Sequence, residues 1–104
     1  MSRSSTTTSH GALPPVHPGR PLKREMTARG LSSNALARAL RVPPGRIVDI
    51  VNGKRAITPE TALRLGRYFG TGAALWQTLQ STYDLAVAER AHGARVVEEV
   101  PVAA

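Results

Sequence analysis

The chain has 104 residues, enough for one small domain with a modest core. Lys plus Arg number 14 against 7 Asp plus Glu, and this net +7 favours polyanionic partners, nucleic acid before an anionic membrane. The absence of cysteine excludes disulfides and thiol catalysis, and no apolar run approaches the roughly 18 residues of a membrane span.

The opening MSRSSTTTSHG is polar and lacks a signal-peptide apolar region, so a soluble protein acting in the cytoplasm is expected. Residues 1–16 are rich in Ser and Thr, then Pro, without hydrophobic period, and are expected to be disordered in isolation. Pro21 suits the first turn of a helix running from Arg20 to Arg29, with Leu22, Met26 and Ala28 on its core side and Gly30 as its stop. Ser32 is placed to cap a second helix over Ser33 to Leu40. Pro44 opens a third, which closes at Asn52-Gly53. Beyond the basic loop Lys54-Arg55-Ala56-Ile57, Thr58 caps a fourth helix with Pro59 and Glu60 in its first turn. Its apolar set is Ala62, Leu63, Leu65, Tyr68 and Phe69, and Gly70 stops it. Thr71 is expected to cap a fifth and longest helix reaching Ala91, with Leu75, Trp76, Leu79, Tyr83 and Val87 as its stripe. In the tail, Val96, Val97 and Val100 suit a short strand ended by Pro101, or a flexible end. The chain thus divides into an arm (1–16), a folded unit (17–92) and a tail (93–104).

The second and third helices decide the class. Leu36, Ala37, Leu40, Val42, Ile47, Ile50 and Val51 recur at steps of three and four within each half, and the RVPPG between the halves breaks any continuous helix. Ala37 is small where two helices must cross closely. Two short amphipathic helices around a tight turn form a helix-turn-helix, which presents its second helix to the DNA major groove. From Arg20 to Arg67, eleven basic residues face three acidic ones, so a net +8 sits on this unit.

Turned away from Ile47, Ile50 and Val51 are Pro44, Gly45, Arg46, Asp49 and Asn52. Pro44 and Gly45 permit close approach of the backbone to DNA. Arg46 suits a fork onto guanine O6 and N7, or a phosphate. Asp49 suits cytosine N4, or the orientation of Arg46 or another arginine of the same face. Lys54 and Arg55 follow where the chain lies along the sugar-phosphate backbone, and Ser33, Asn34 and Arg38 occupy the helix face that crosses it.

The order HPG, LSSNALARAL, VPPGRIVDIVNGKRAITPETALRLGRYFG and then a Trp-bearing helix resembles the HigA-type antitoxins, a branch of the phage-repressor-like (XRE) helix-turn-helix family. The likeness covers about His17 to Ala91, and VNGKRAITPETALRL is its most specific part. It implies an all-α, five-helix lambda-repressor-like domain with a disordered arm and a short tail. It further implies a homodimer that binds a HigB-type ribosome-dependent mRNA-cleaving toxin and represses its own operon at a palindromic operator on double-stranded DNA. Carried over by position, the DNA-facing residues fall on Ser33, Pro44, Gly45, Arg46 and Asp49, with phosphate contacts around Asn34, Lys54 and Arg55. Two departures stand out. Arg41 occupies a turn position that relatives usually give to glycine, and Arg20-Pro21 replaces an acidic-aliphatic pair.

His10, His17 and His92 lack metal-ligand spacing, and His17 is expected to cap or pack locally. Glu98-Glu99 has no partner for general acid–base work, so no catalytic residue, cofactor or metal is expected, and the chain reads as a non-enzyme. Trp76, Leu79 and Tyr83 are either plain core or part of a two-fold interface. Toxin contact is open to the arm, to the first helix, or to the valine tail added to a sheet. The competing readings are a stand-alone regulator and a toxin-inhibiting interaction module with weak DNA binding.

Overall fold

The computed structural model describes residues 14–104, which form five helices. These are α1 (Gly19–Ala28), α2 (Ser33–Leu40), α3 (Pro44–Val51), α4 (Pro59–Phe69) and α5 (Ala73–Glu99). The expected arm lies outside the described residues over 1–13, and Pro14 to Val16 are irregular chain.

Local chemistry sets each boundary. The Nδ1 of His17 accepts the Gly19 N–H at 2.9 Å, so α1 begins one residue before Arg20. Gly19 itself packs on the end of α3, where a Cβ would collide with the Ile50 carbonyl. Ser32 Oγ accepts the Ala35 N–H at 3.1 Å and Thr58 Oγ1 accepts the Thr61 N–H at 3.3 Å, as their N-cap roles require. The first three helices all close with the same hydrogen-bond pattern. Leu31 N–H reaches the Met26 carbonyl, Val42 N–H that of Ala37, and Lys54 N–H that of Asp49, each across a left-handed residue. Two of those residues are Gly30 and Gly53. The third is Arg41 at φ 60°, the one positive-φ residue other than glycine among the described residues. A side chain there costs on the order of 1 kcal/mol.

The core is assembled from one stripe per helix: Leu22 and Met26, then Leu36, Ala37 and Leu40, then Ile47 and Ile50, then Ala62, Leu65 and Phe69, with Trp76 from α5. Helix α3 packs on α1 and α2, while α4 bridges α2 and α5. Arg29 closes the far side, its guanidinium 4.9 Å over the Phe69 ring.

Several expectations change. Ala28, Leu63 and Tyr68 face solvent, because the core-facing arc of α1 is filled by Leu22 and Met26 and that of α4 by Thr61, Ala62, Leu65 and Phe69. Thr71 does not cap α5: Gly72 is its N-cap, while the Thr71 hydroxyl donates to the Gly72 carbonyl and accepts the Trp76 indole N–H at 3.0 Å. Nor does α5 stop at Ala91. It runs 27 residues to Glu99, so residues 93–99 are neither strand nor flexible tail. Ala94, Arg95, Glu98 and Glu99 favour helix there, and the helix continues through Gly93 and two valines. The helix ends where Pro101 forces Val100 out of the α region, at φ −115° and ψ 108°. At about 40 Å, α5 accounts for the elongated 51 × 24 × 22 Å envelope.

Replacing Arg41 with glycine removes the left-handed strain, partly offset by added freedom in the unfolded chain. Arg41→Gly is expected to raise the unfolding free energy by about 0.5–1 kcal/mol in urea titrations. A loss of stability would show that the Arg41 side chain contributes more than its backbone costs.

Candidate nucleic-acid interface

The corner built by α2, the Arg41 turn and α3 buries Ile47 and Ile50 and so turns the opposite side of α3 to solvent. Pro44, Gly45 and Asn52 are exposed on that side, as expected, and Arg46 and Asp49 are partly exposed. The space over the Gly45 Cα is open, so the leading edge of α3 presents bare backbone. Val48 also faces outward, 40% exposed, a residue that the sequence pattern does not single out as part of this face. An outward valine on an eight-residue amphipathic helix breaks the three- and four-residue rule, and that irregularity is its signal.

Ion pairs organise the arginines. Asp49 reaches Arg55 at 3.6 Å rather than Arg46, so the carboxylate ties α3 to the basic loop behind it. Arg46 instead faces Glu60 at 4.0 Å, in the first turn of α4. Glu60 also holds Arg64 at 3.2 Å, and Arg64 donates to the Leu40 carbonyl at 2.9 Å, at the end of α2. One carboxylate thus links the exposed face of α3 to the back of the corner. The i, i+4 spacing of Glu60 and Arg64 is legible in the sequence, whereas the contact with Arg46 depends on how α3 and α4 pack. These pairs are solvent-accessible and each contributes at most about 1 kcal/mol, so phosphate oxygens can replace the carboxylates readily.

Asn34, Arg38, Lys54 and Arg55 are exposed and Ser33 is half-buried. Among the described residues, Arg38 and Lys54 make no ion pair. The loop carrying Lys54 and Arg55 is anchored from within by Gln80, a residue that sequence reasoning misses. Its Oε1 accepts the buried Ile57 N–H at 2.7 Å and its Nε2 donates to Asp84 at 2.9 Å. A lone glutamine on a long helix carries no sequence signal for such a role.

The three residues expected at a two-fold interface occupy different environments. Trp76 is 3% exposed and committed to the core of its own chain, packed 5.8 Å from the Phe69 ring. Leu79 is partly buried against that core, and half-buried Tyr83 meets His17 edge-on at 4.9 Å. Leu75, expected in the buried stripe, is 44% exposed in the first turn of α5, and further along the helix Leu85, Val87, Val96 and Val97 are exposed too. Among the described residues, no cluster of three metal-ligating side chains occurs, and no helix is long and apolar enough to cross a membrane.

A helix-turn-helix family model matches residues 22–76, from the first core leucine of α1 to Trp76. The chain belongs to this helix-turn-helix family. It is 51% identical to virulence-associated protein I of Dichelobacter nodosus over 79 residues, 75% of this chain and 73% of its relative. Its structural neighbours include HigA-family antitoxins. An addiction module antidote protein of the HigA family from Coxiella burnetii superposes with a TM-score of 0.85 at 39% identity, covering 88% of this chain and all of that one. The Pseudomonas aeruginosa antitoxin HigA, solved with the higBA promoter, gives 0.81 at 44% identity, covering 84% and 96%.

Substituting Gln80 by leucine leaves the Ile57 N–H buried without an acceptor. Gln80→Leu is expected to cost about 1–3 kcal/mol and to accelerate hydrogen exchange at the Ile57 amide. Unchanged exchange would show that the loop carrying Lys54 and Arg55 is held by something else.

Proposed function

We propose that this chain is a HigA-type antitoxin that works as a homodimer, represses its own operon at a palindromic operator, and neutralises a HigB-type mRNA-cleaving toxin. The observation that carries the reading is its agreement in sequence and fold with the Pseudomonas aeruginosa antitoxin solved with its promoter. The exposed basic residues around α3, Arg38, Lys54 and Arg55 beside Arg46, support it independently. The role is one of binding rather than catalysis, and its place of action is the cytoplasm, where the operon lies.

In this reading α3 enters the major groove. Pro44 and Gly45 let its backbone approach closely, Arg46 reaches a guanine or a phosphate, and Val48 offers methyl groups to a thymine. Asp49 exchanges Arg55 for cytosine N4, while Ser33, Asn34, Arg38, Lys54 and Arg55 hold phosphates and fix the register. One eight-residue helix reads few base pairs, so a two-fold pair on a palindrome supplies the rest. The pairing surface belongs to α5, where Leu79 and Tyr83 contribute from the edge of the core and Trp76 fixes the helix from inside.

The test is fluorescence anisotropy on the upstream DNA and on a scrambled duplex across a salt series. A specific repressor prefers its own DNA by about a thousandfold or more, with a steep salt slope. Equal, weak binding to both duplexes would replace this reading with a toxin-inhibiting module. Operator binding without capture of the protein encoded beside it would leave a stand-alone regulator.

Two variants assign roles within the face. Arg46→Ala is expected to weaken operator binding by about 1–3 kcal/mol and relax preference at one position if Arg46 forks onto a base; a uniform loss on both duplexes marks a phosphate contact. Lys54→Ala is expected to weaken both duplexes alike and lower the salt slope by about one, and an unchanged slope removes Lys54 from the interface.

A further inference from the structure

A concave surface lies between the end of α2 and the outer side of α4. It encloses about 310 Å³. Its floor is apolar, formed by Ala39, Leu63 and Tyr68, and Arg41, Arg64 and Arg67 surround it. Leu63 is 63% exposed and Tyr68 41%, two large apolar side chains side by side on the outer face of α4. Arg64 is engaged with Glu60 and the Leu40 carbonyl. Arg41 and Arg67 make no ion pair among the described residues. The surface therefore suits a segment that carries apolar and acidic side chains next to one another.

The chain carries one such segment. Val97-Glu98-Glu99-Val100-Pro101-Val102 contains the only adjacent acidic pair in the sequence. Its valines are among the most exposed apolar side chains described, and Val102 is 97% exposed. Glu98 and Glu99 make no ion pair among the described residues. Residues 97–99 are the last turn of α5, Val100 is extended and Pro101 stiffens the chain after it, so little freedom is lost on docking.

The segment cannot reach the groove of its own chain. The Gln80 bond to Ile57 and the Phe69 contact with Trp76 set α4 antiparallel to the first third of α5, alongside residues 76–80. From Gln80 to Glu99 the helix advances about 29 Å. Residues 100–104 span at most about 18 Å when fully extended. A second copy has no such restriction.

We infer that residues 97–102 of one copy dock in the Ala39–Leu63–Tyr68 groove of another, with Glu98 and Glu99 facing Arg41 and Arg67. The valines cover the exposed leucine and tyrosine, and reciprocal exchange of the two segments closes a two-fold dimer. This contact lies outside the α3 face and does not depend on DNA binding. It specifies a pairing surface that Leu79 and Tyr83 alone do not supply.

Because the chain has no cysteine, directed cross-linking tests it directly. Leu63→Cys and Val100→Cys both alter exposed side chains, so folding is preserved. Under mild oxidation an equimolar mixture of the two single variants is expected to give severalfold more covalent dimer than either variant alone. Glu98→Arg with Glu99→Arg in the Val100→Cys chain is expected to reduce that yield severalfold, and Arg67→Glu in the Leu63→Cys chain to recover part of it. Equal cross-linking by Val100→Cys alone would mean that the segments meet each other instead, and would overturn the proposal. So would the absence of cross-linked dimer in the mixture. Sedimentation of the unaltered protein separates the two readings: a dimer without the cross-link rejects this contact only, whereas a monomer also rejects the homodimer proposed above.

Discussion

The left-handed turn at Arg41 is the constraint on which the rest of the structure depends. It reverses the chain within two residues of Leu40, so that Ile47 and Ile50 fall on the same core as Leu36 and Ala37. Any other backbone conformation there would carry α3 away from α2 and open the corner. The conformation disfavours a side chain, yet three neighbours hold it: the Val42 N–H on the Ala37 carbonyl, Pro43 stiffening the entry to α3, and Arg64 donating to the Leu40 carbonyl from α4. The turn is over-determined, and its strain is small against the burial it permits.

The same economy governs the charges. A basic surface binds any polyanion, and an excess of it erodes discrimination between sequences. Here the two acids around α3 are each paired with arginine: Asp49 with Arg55, and Glu60 with both Arg46 and Arg64. Each carboxylate holds an arginine in place before any ligand arrives and lowers the charge available for indiscriminate binding. Releasing the guanidinium costs little, because the pairs are exposed.

Most of the scaffold is legible in the residues. Ser32 and Thr58 cap where a hydroxyl precedes an apolar period, Pro44 and Pro59 open helices, and the double proline marks the corner. These signals are local, and local chemistry decides them. The features that escape a sequence reading are decided at a distance. Gln80 matters because a buried amide twenty-three positions away needs an acceptor, and Glu60 because α3 and α4 converge. Thr71 resembles a cap by composition, but the Trp76 indole claims its hydroxyl. The valines near the end suggest a strand, although the Ala, Glu and Arg around them extend the helix until Pro101 interrupts it. In the candidate site, residue identity and exposure are readable, while the partner of each charge is not.

Helix α5 has two mechanically distinct parts. Its first third is fixed to the core by Trp76 and Gln80, and the remainder is a stiff rod with solvent around most of it. One residue inserted beyond Asp84 would turn everything downstream by about 100° and advance it by about 1.5 Å, without disturbing a single core contact. An insertion there would therefore re-aim the outer part of α5 while retaining the same domain and the same exposed face of α3. Changes in geometry at that rod come almost free of any penalty in folding.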